Sequence, residues 1–430
     1  MQDEEKDLMS APAFRSAPQK QAAVAMDTVT AARFQSEVAE SVNGVAQWMQ
    51  ARDFAGFDLY DMLNSPYISS WASRRFPLNA LCVQVGKRWA GAGARKVMRV
   101  PASKNPKALG LALAAFCDLA RCGERTESQA QYLKSELKRL SSPGEQYFCW
   151  GYDWNYATLR SIPLTAFGPN CIATYFCASA LLDMHEVFGD AEARKMAESA
   201  GQFIIQRLNR SVDTPRHLCF SYTPEDHTKI VNNSALAGSL LARLAYVGGE
   251  SYIELAKRTL QYLVDRQRPD GSWIYGEWRW QKWVDSFHTA YNLMALLAYR
   301  SATGERGFDA ELRRGYEFYC GVFFGSDGMP KYSPHSPYPL DIHSCAQAML
   351  TFCTFEDPDA LSRALLVFQW TNRNMRNHDG SYAFQKHRLW TNRTPYMRWG
   401  QAWMFRALAQ LKRRQLKPQG LSMAATAGSR

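Results

Sequence analysis

The sequence predicts an all-α chain, an (α/α)6 toroid in which six helical hairpins close into a ring. Three observations lead there. Apolar, helix-like segments of about 15–18 residues open near positions 106, 170, 232, 287, 341 and 396, so that one recurs roughly every 55–64 residues. A second, more charged helical pattern follows most of them. The links into each next segment are long, roughly 20–30 residues, and resemble one another.

Residues 1–28 are small, polar and without periodicity, the pattern of a disordered leader. The stretch 417–430, rich in Ala, Gly, Ser and Thr, predicts a disordered tail. Between them no Gly-, Pro- or Ser-rich linker interrupts 29–416, which reads as one toroid domain. The first-layer segments include 172–189 (IATYFCASALLDMHEVFG), 233–249, 287–299, 342–355 and 396–411. Charged second helices are expected near 126–140, 190–208, 250–266, 306–320 and 358–375. The sixth first-layer helix has no downstream partner, and residues 31–51 are expected to supply it, closing chain start against chain end. A closed ring leaves no end repeat to cap.

With 46% hydrophobic and 21% charged residues the chain can bury a sizeable core. The net charge of +11 favours acidic partners. The cations are spread along the chain, with no block of five Lys or Arg and no nucleic-acid motif, so nucleic acid is not the expected partner. No apolar run reaches the roughly 18–20 residues of a membrane span. The acidic, polar start MQDEEKDLMS is unlike a signal peptide, and a cytoplasmic protein is expected. The ten Cys form no Cys-x-x-Cys pair and read as free, mostly buried thiols.

The links carry a shared turn. One reads Gln267-Arg-Pro-Asp270-Gly271-Ser272-Trp273, a second Asn377-His378-Asp379-Gly380-Ser381-Tyr382, and a third contains Asp327-Gly328. Asp-Gly favours a turn with positive φ. The first copy resembles the QxxDGSW repeat of squalene–hopene cyclases and related terpenoid cyclases, where the motif ties loop to helix. The resemblance implies the fold; the Asp-x-Asp-Asp protonation motif of that family is missing. The stretch Trp283-Val-Asp285-Ser-Phe-His288-Thr is similar to α/α-barrel enzymes acting on uronate sugars: unsaturated glucuronyl hydrolases, uronate lyases and glucuronyl epimerases. Over about residues 45–410 the pattern Phe57-Asp-Leu-Tyr-Asp61, Trp150-Gly-Tyr-Asp153-Trp154, Gly168-Pro-Asn170 and Asp285-Ser-Phe-His288 resembles uncharacterised proteins encoded in bacterial polysaccharide-biosynthesis loci. That resemblance implies a setting and no reaction.

In such a ring the loops preceding the inner helices build the cavity mouth. Polar and aromatic residues gather there, including five of the eight His: 227, 288, 335, 343 and 387. Asp285 with His288, Asp341 with His343, and Asp153 are the candidate catalytic residues, because sugar chemistry needs paired carboxylates or a His working with one. Capping competes with this for Asp285 and Asp341, which sit where helix N-caps belong. Asp153 lies between Trp150 and Trp154, where apolar rings favour a retained proton. Candidate substrate-binding residues are Trp150, Trp154, Asn170, Tyr222, Asn232, Trp278, Trp283, Gln347, Tyr396, Arg398 and Trp399. The Asn residues are equally suited to capping, and part of the Trp cluster to the core. No HExxH or Cys/His zinc spacing occurs, and no Gly-rich phosphate loop or Gly-x-Ser-x-Gly, so neither metal nor cofactor is expected.

The expected partner is an anionic oligosaccharide or polysaccharide, handled by acid/base chemistry as hydrolase, lyase or epimerase in surface-polysaccharide metabolism. A non-catalytic glycan-binding scaffold and an isoprenoid-binding relative of the terpenoid cyclases are the alternatives.

Overall fold

The computed structural model describes residues 28–69, 75–157, 163–247 and 252–416. The expected leader, but for Thr28, and the expected tail lie outside them. In chain order the helices are α1 (Thr28–Gln50), α2 (Pro66–Ser69), α3 (Leu78–Trp89), α4 (Ala92–Val97), α5 (Pro106–Ala120), α6 (Glu127–Arg139), α7 (Cys171–Phe188) and α8 (Ala191–Arg207). They continue with α9 (Val231–Tyr246), α10 (Ile253–Val264), α11 (Ser286–Thr303), α12 (Asp309–Val322), α13 (Ile342–Thr354), α14 (Ala360–Met375) and α15 (Ala402–Leu416).

The odd-numbered helices α5 to α15 form the inner ring. Each packs on the next, and α15 returns to α5, so the ring is closed. Helices α6, α8, α10, α12 and α14 form the outer layer, and α1 packs against α15 as the sixth outer helix. The chain start is fastened to the chain end: Trp48 Nε1 donates to Asp379 Oδ2 at 2.8 Å and Arg376 pairs with Glu40 at 3.0 Å. The fold is the six-hairpin toroid that the repeat predicts.

The inner helices are apolar around their whole circumference because they are covered on every side. On α5, Leu109, Leu113, Ala112 and Cys117 are fully buried. Truncating one such Leu to Ala costs about 2–5 kcal/mol. All ten Cys are free.

The Asp-Gly turns dock each link on the next outer helix. Gly271 (φ +90°) sits against the Arg314 carbonyl of α12, and Gly380 (φ +84°) against the backbone of Gly44 on α1; a Cβ would collide at the first and crowd the second. Gln267 Nε2 donates to the Glu311 carbonyl at 2.9 Å, and Trp273 Nε1 to the Leu263 carbonyl at 3.0 Å. The motif is a structural tie in this chain.

The two ends of the ring differ. At the C-terminal ends of the inner helices, buried Asp118 receives Arg406, Arg413 (2.7 Å) and Arg121 (3.4 Å), while Asp183 receives Arg243 at 3.0 Å. This network seals one end. The N-terminal ends open into a cavity at the other.

Over that cavity lies a segment outside the hairpin plan. It runs from the two-residue strand β1 (Ala55–Gly56) through α2, α3 and α4 to β2 (Ser103–Lys104), which pairs antiparallel with β1. It has its own small core of Met62, Leu63, Ile68, Val83 and Val100. Asp61 and Arg95, both buried, pair at 2.7 Å inside it.

Candidate active site

The cavity measures about 520 Å³ and is walled by the N-terminal turns of the inner helices, the links before them, and Leu59, Tyr60 and Lys87 of the covering segment. Its walls are aromatic. Tyr152 stacks on Trp154 (4.6 Å between centroids, 9° between planes) and Tyr275 on Trp283 (4.4 Å, 14°). Tyr60, Tyr222, Phe287, Tyr291, Tyr332 and Trp399 add further rings.

Asp285 is the N-cap of α11: its Oδ1 accepts the His288 backbone N–H at 2.9 Å. Its Oδ2 lies 2.6 Å from His288 Nδ1 and accepts the Trp283 indole N–H at 2.9 Å. Capping and positioning are therefore one arrangement. A ring with its proton on Nδ1 satisfies this contact, and that tautomer leaves the Nε2 lone pair for the cavity that His288 lines. Asp285 itself is 2% exposed and is not part of the cavity wall.

Asp341 caps α13 in the same manner, through the His343 N–H at 2.9 Å. Trp399 Nε1 (2.9 Å) and Gln385 Nε2 (2.8 Å) also donate to it. Burial nevertheless pushes its pKa up to about 6, against the pull of those three donors and Lys87. Burial, then Lys107 and His288, hold the His343 ring well below its ordinary pKa. Its Nε2 meets the Tyr291 hydroxyl at 2.8 Å, and its buried Nδ1 has no hydrogen-bond partner among the described residues.

Arg398 and Trp399 reach the cavity from a π turn, Met397–Gln401, that opens the last inner helix. Arg398 donates to both oxygens of Asp58 at 2.6 and 2.8 Å, so its charge is already neutralised. Lys107, in the first turn of α5, has no such partner. It is 3% exposed, lines the cavity, and forms no ion pair among the described residues. Its Nζ lies over the rings of Phe176 (4.3 Å), Trp403 (5.2 Å) and Tyr291 (5.9 Å). Burial, then repulsion from Arg398, hold its pKa well below that of an ordinary lysine.

Of the residues singled out in the sequence, Trp154, Tyr222, Asn232, Trp283, His288, Asp341, His343, Arg398 and Trp399 come together in the cavity wall. Asn232 leaves a buried Oδ1 without a partner among the described residues. Others are placed elsewhere. Asp153 turns away from the cavity to accept from Ser103 and Asn105, so it fastens the covering segment to the ring. Trp150 is core, its indole N–H on the Leu137 carbonyl at 2.7 Å. Asn170 caps α7 through the Ala173 N–H at 2.8 Å. Tyr396 is buried, its hydroxyl accepting from Arg95 (2.9 Å) and donating to the Ala90 carbonyl (3.1 Å). Trp278 packs beside Trp280 rather than in the wall, and Gln347 lies deeper on α13, against Thr351 at 3.4 Å. Lys107, Tyr275 and Tyr291 also line the cavity without having been singled out, and Tyr60, with Asp58 as the partner of Arg398, entered only through a resemblance. Among the described residues no three His, Cys, Asp or Glu converge on a point where a metal ion could sit.

This architecture is an α/α toroid with its open mouth at the N-terminal ends of the inner helices. Solved structures share it. Cellobiose 2-epimerase from Bacillus thermoamylovorans aligns with a TM-score of 0.57 at 13% identity over 72% of this chain and 87% of its own. The GH76 α-mannanase of Bacteroides thetaiotaomicron gives 0.55 at 12% identity over 72% and 87%. A D-mannose isomerase gives 0.54 at 11% identity over 71% and 86%. At such identities the likeness is one of fold. No family model and no curated protein matches the sequence.

Proposed function

We propose that this protein is a sugar-active enzyme that removes the proton next to the carboxylate of a uronate-type sugar, as lyases and epimerases of acidic glycans do. The observation that carries the proposal is the Asp285–His288 pair, 2.6 Å apart, backing a lone imidazole nitrogen onto an aromatic cavity. Solved toroids of this fold include a mannanase, a sugar epimerase and a sugar isomerase, in keeping with a carbohydrate substrate. Stacked aromatic pairs offer flat apolar surface to the C–H faces of sugar rings.

The roles follow from the chemistry of each group. His288 Nε2 takes the C5 proton, and the electron pair moves into the sugar carboxylate as an enolate. Lys107, a buried amine with no ion pair among the described residues, takes up a proton with the arriving sugar carboxylate and neutralises the charge growing on it. Asp341, which burial keeps protonated up to about pH 6, supplies the returning proton. Delivered to the oxygen on C4, the proton completes an elimination: the C4–O bond breaks and a C4–C5 double bond forms. Delivered to the opposite face of C5, it completes an epimerisation. Glycoside hydrolysis draws less support, because it needs two working carboxyl groups and Asp285 is fully engaged by His288 and Trp283.

The aromatic wall with one buried, protonated acid favours a second reading, an isoprenoid cavity of terpenoid-cyclase type. Lys107 and His288 count against it, since an amine and an imidazole would quench a carbocation.

The test is incubation of the purified protein with uronate oligosaccharides in D2O, followed by NMR at C5 and by ultraviolet absorbance of an unsaturated uronate. Deuterium at C5 or a new double bond, lost in His288→Ala, is the expected result. Binding of the glycan with neither change would make the protein a scaffold, and stabilisation by prenyl diphosphates alone would favour the isoprenoid reading.

A further inference from the structure

The covering segment has a surface that the cavity does not use. From Met62 to Cys117 the chain contains nine Lys and Arg and no Asp or Glu. On α3 the side turned from the small core exposes Leu78 (39%), Leu81 (59%) and Val85 (48%), with Phe76 (64%) just before the helix. The spacing i, i+3, i+7 puts the three aliphatic side chains on one face. Arg75 and Arg88 flank this face, both exposed and neither in an ion pair among the described residues. A contiguous patch of exposed apolar side chains rimmed by charged residues marks an interaction surface, where single ones do not.

We propose that this face binds an anionic lipid bilayer, with Phe76, Leu78, Leu81 and Val85 entering the headgroup boundary and Arg75 and Arg88 meeting lipid phosphates and carboxylates. Charge complementarity selects the occupant: a surface with no acidic residue along its chain repels basic partners and is drawn to a negative plane. The apolar residues between the cations distinguish a bilayer from a nucleic acid, whose phosphate backbone has no hydrocarbon to receive Leu81. No described helix is long and apolar enough to cross a membrane, so the contact is peripheral. Lys87 of the same helix lines the cavity. Lys87 projects from the opposite side of α3 to Leu78, Leu81 and Val85, so docking by that apolar face leaves the cavity side of the helix turned away from the lipid. The inference stands apart from the reaction proposed for the cavity.

Co-sedimentation of the full chain with phosphatidylcholine vesicles, with and without phosphatidylserine, tests it. Binding should be at least about tenfold stronger to the anionic vesicles and should fall as salt rises. Leu81→Asp/Val85→Asp and Arg75→Glu/Arg88→Glu should each lower the bound fraction by about tenfold while retaining the wild-type melting temperature. Equal affinity for neutral vesicles, no binding at all, or wild-type binding by both variants would overturn the proposal. So would a dimer that the Asp variant dissociates, or preferential binding of RNA.

Discussion

Asp285 Oδ2 and His288 Nδ1 lie 2.6 Å apart, one helical turn from each other at the start of α11, with the same carboxylate also capping the helix. One side chain thereby fixes the end of the helix, the orientation of the imidazole and its tautomer. Because both oxygens of Asp285 already accept N–H groups, an amide in its place must turn its own N–H2 toward a donor.

Asp285→Asn should therefore separate capping from catalysis. Asn caps as well as Asp, so the helix end should hold, and the melting temperature should fall only by the loss of the contacts at Oδ2. The amide no longer stabilises the Nδ1–H tautomer, and kcat should fall about 10²–10⁴-fold. Steady-state kinetics beside a thermal melt checks both halves.

Lys107→Met should weaken binding of a uronate oligosaccharide by about 10–100-fold, the value of a lost charge-assisted contact, and leave binding of its carboxyl-reduced form unchanged. Isothermal calorimetry with the two ligands makes the comparison. The same variant should be more stable than wild type, because it removes a buried amine with no counter-ion. The pH dependence has a definite sign. A lysine whose folded pKa is depressed is destabilising while the unfolded state holds its proton, so the gap between variant and wild type should close as pH rises toward 10.5.

For Asp341 the sign is opposite. Its folded pKa of about 6 stands above the ordinary 3.8, so its stabilising contribution is complete below 3.8 and lost as pH rises through 6. That loss amounts to about 3 kcal/mol. Asp341→Asn should flatten the pH dependence of stability in this window. In the wild type, a step that needs the Asp341 proton should slow as pH rises through about 6, and chemical denaturation and pH–rate profiles check the two limbs.

Asp118→Asn should destabilise the ring without touching the cavity. It leaves Arg121, Arg406 and Arg413 around an uncharged group at the sealed end, at a cost of about 3–5 kcal/mol. Urea denaturation should show the loss, with KM for any substrate unchanged below the transition.

The ring was legible because each hairpin repeats the same physical problem, an inner helix apolar on all sides and an outer one charged on one face. The six openings near 106, 170, 232, 287, 341 and 396 fall within a few residues of α5, α7, α9, α11, α13 and α15, the last of them preceded by its π turn. At Asp285 and Asp341 the capping positions were legible, and the structure places both as N-caps, Asp341 in the cavity wall and Asp285 beside it. Asp153 was misplaced although its aromatic surroundings were rightly read. Tyr152, Trp154 and Tyr156 line the cavity, while Asp153 between them turns away at a bend to Ser103 and Asn105. Nothing in the sequence around Lys107 sets it apart from the other cations. It becomes a buried amine, with no ion pair among the described residues, because α7 and α15 both pack on α5 and bring Phe176 and Trp403 over it. The acid-free run from Met62 to Cys117 lay open in the sequence too, masked by the even spread of cations elsewhere.

The most direct test of the central claim is deuterium incorporation at C5 of a uronate oligosaccharide turned over in D2O by wild type and by His288→Ala. Label or a C4–C5 double bond formed by the wild type and reduced at least about 10²-fold in the variant is the expected result. Products that form with C5 unlabelled and saturated, or a variant that exchanges C5 as fast as the wild type, would contradict a proton transfer through His288.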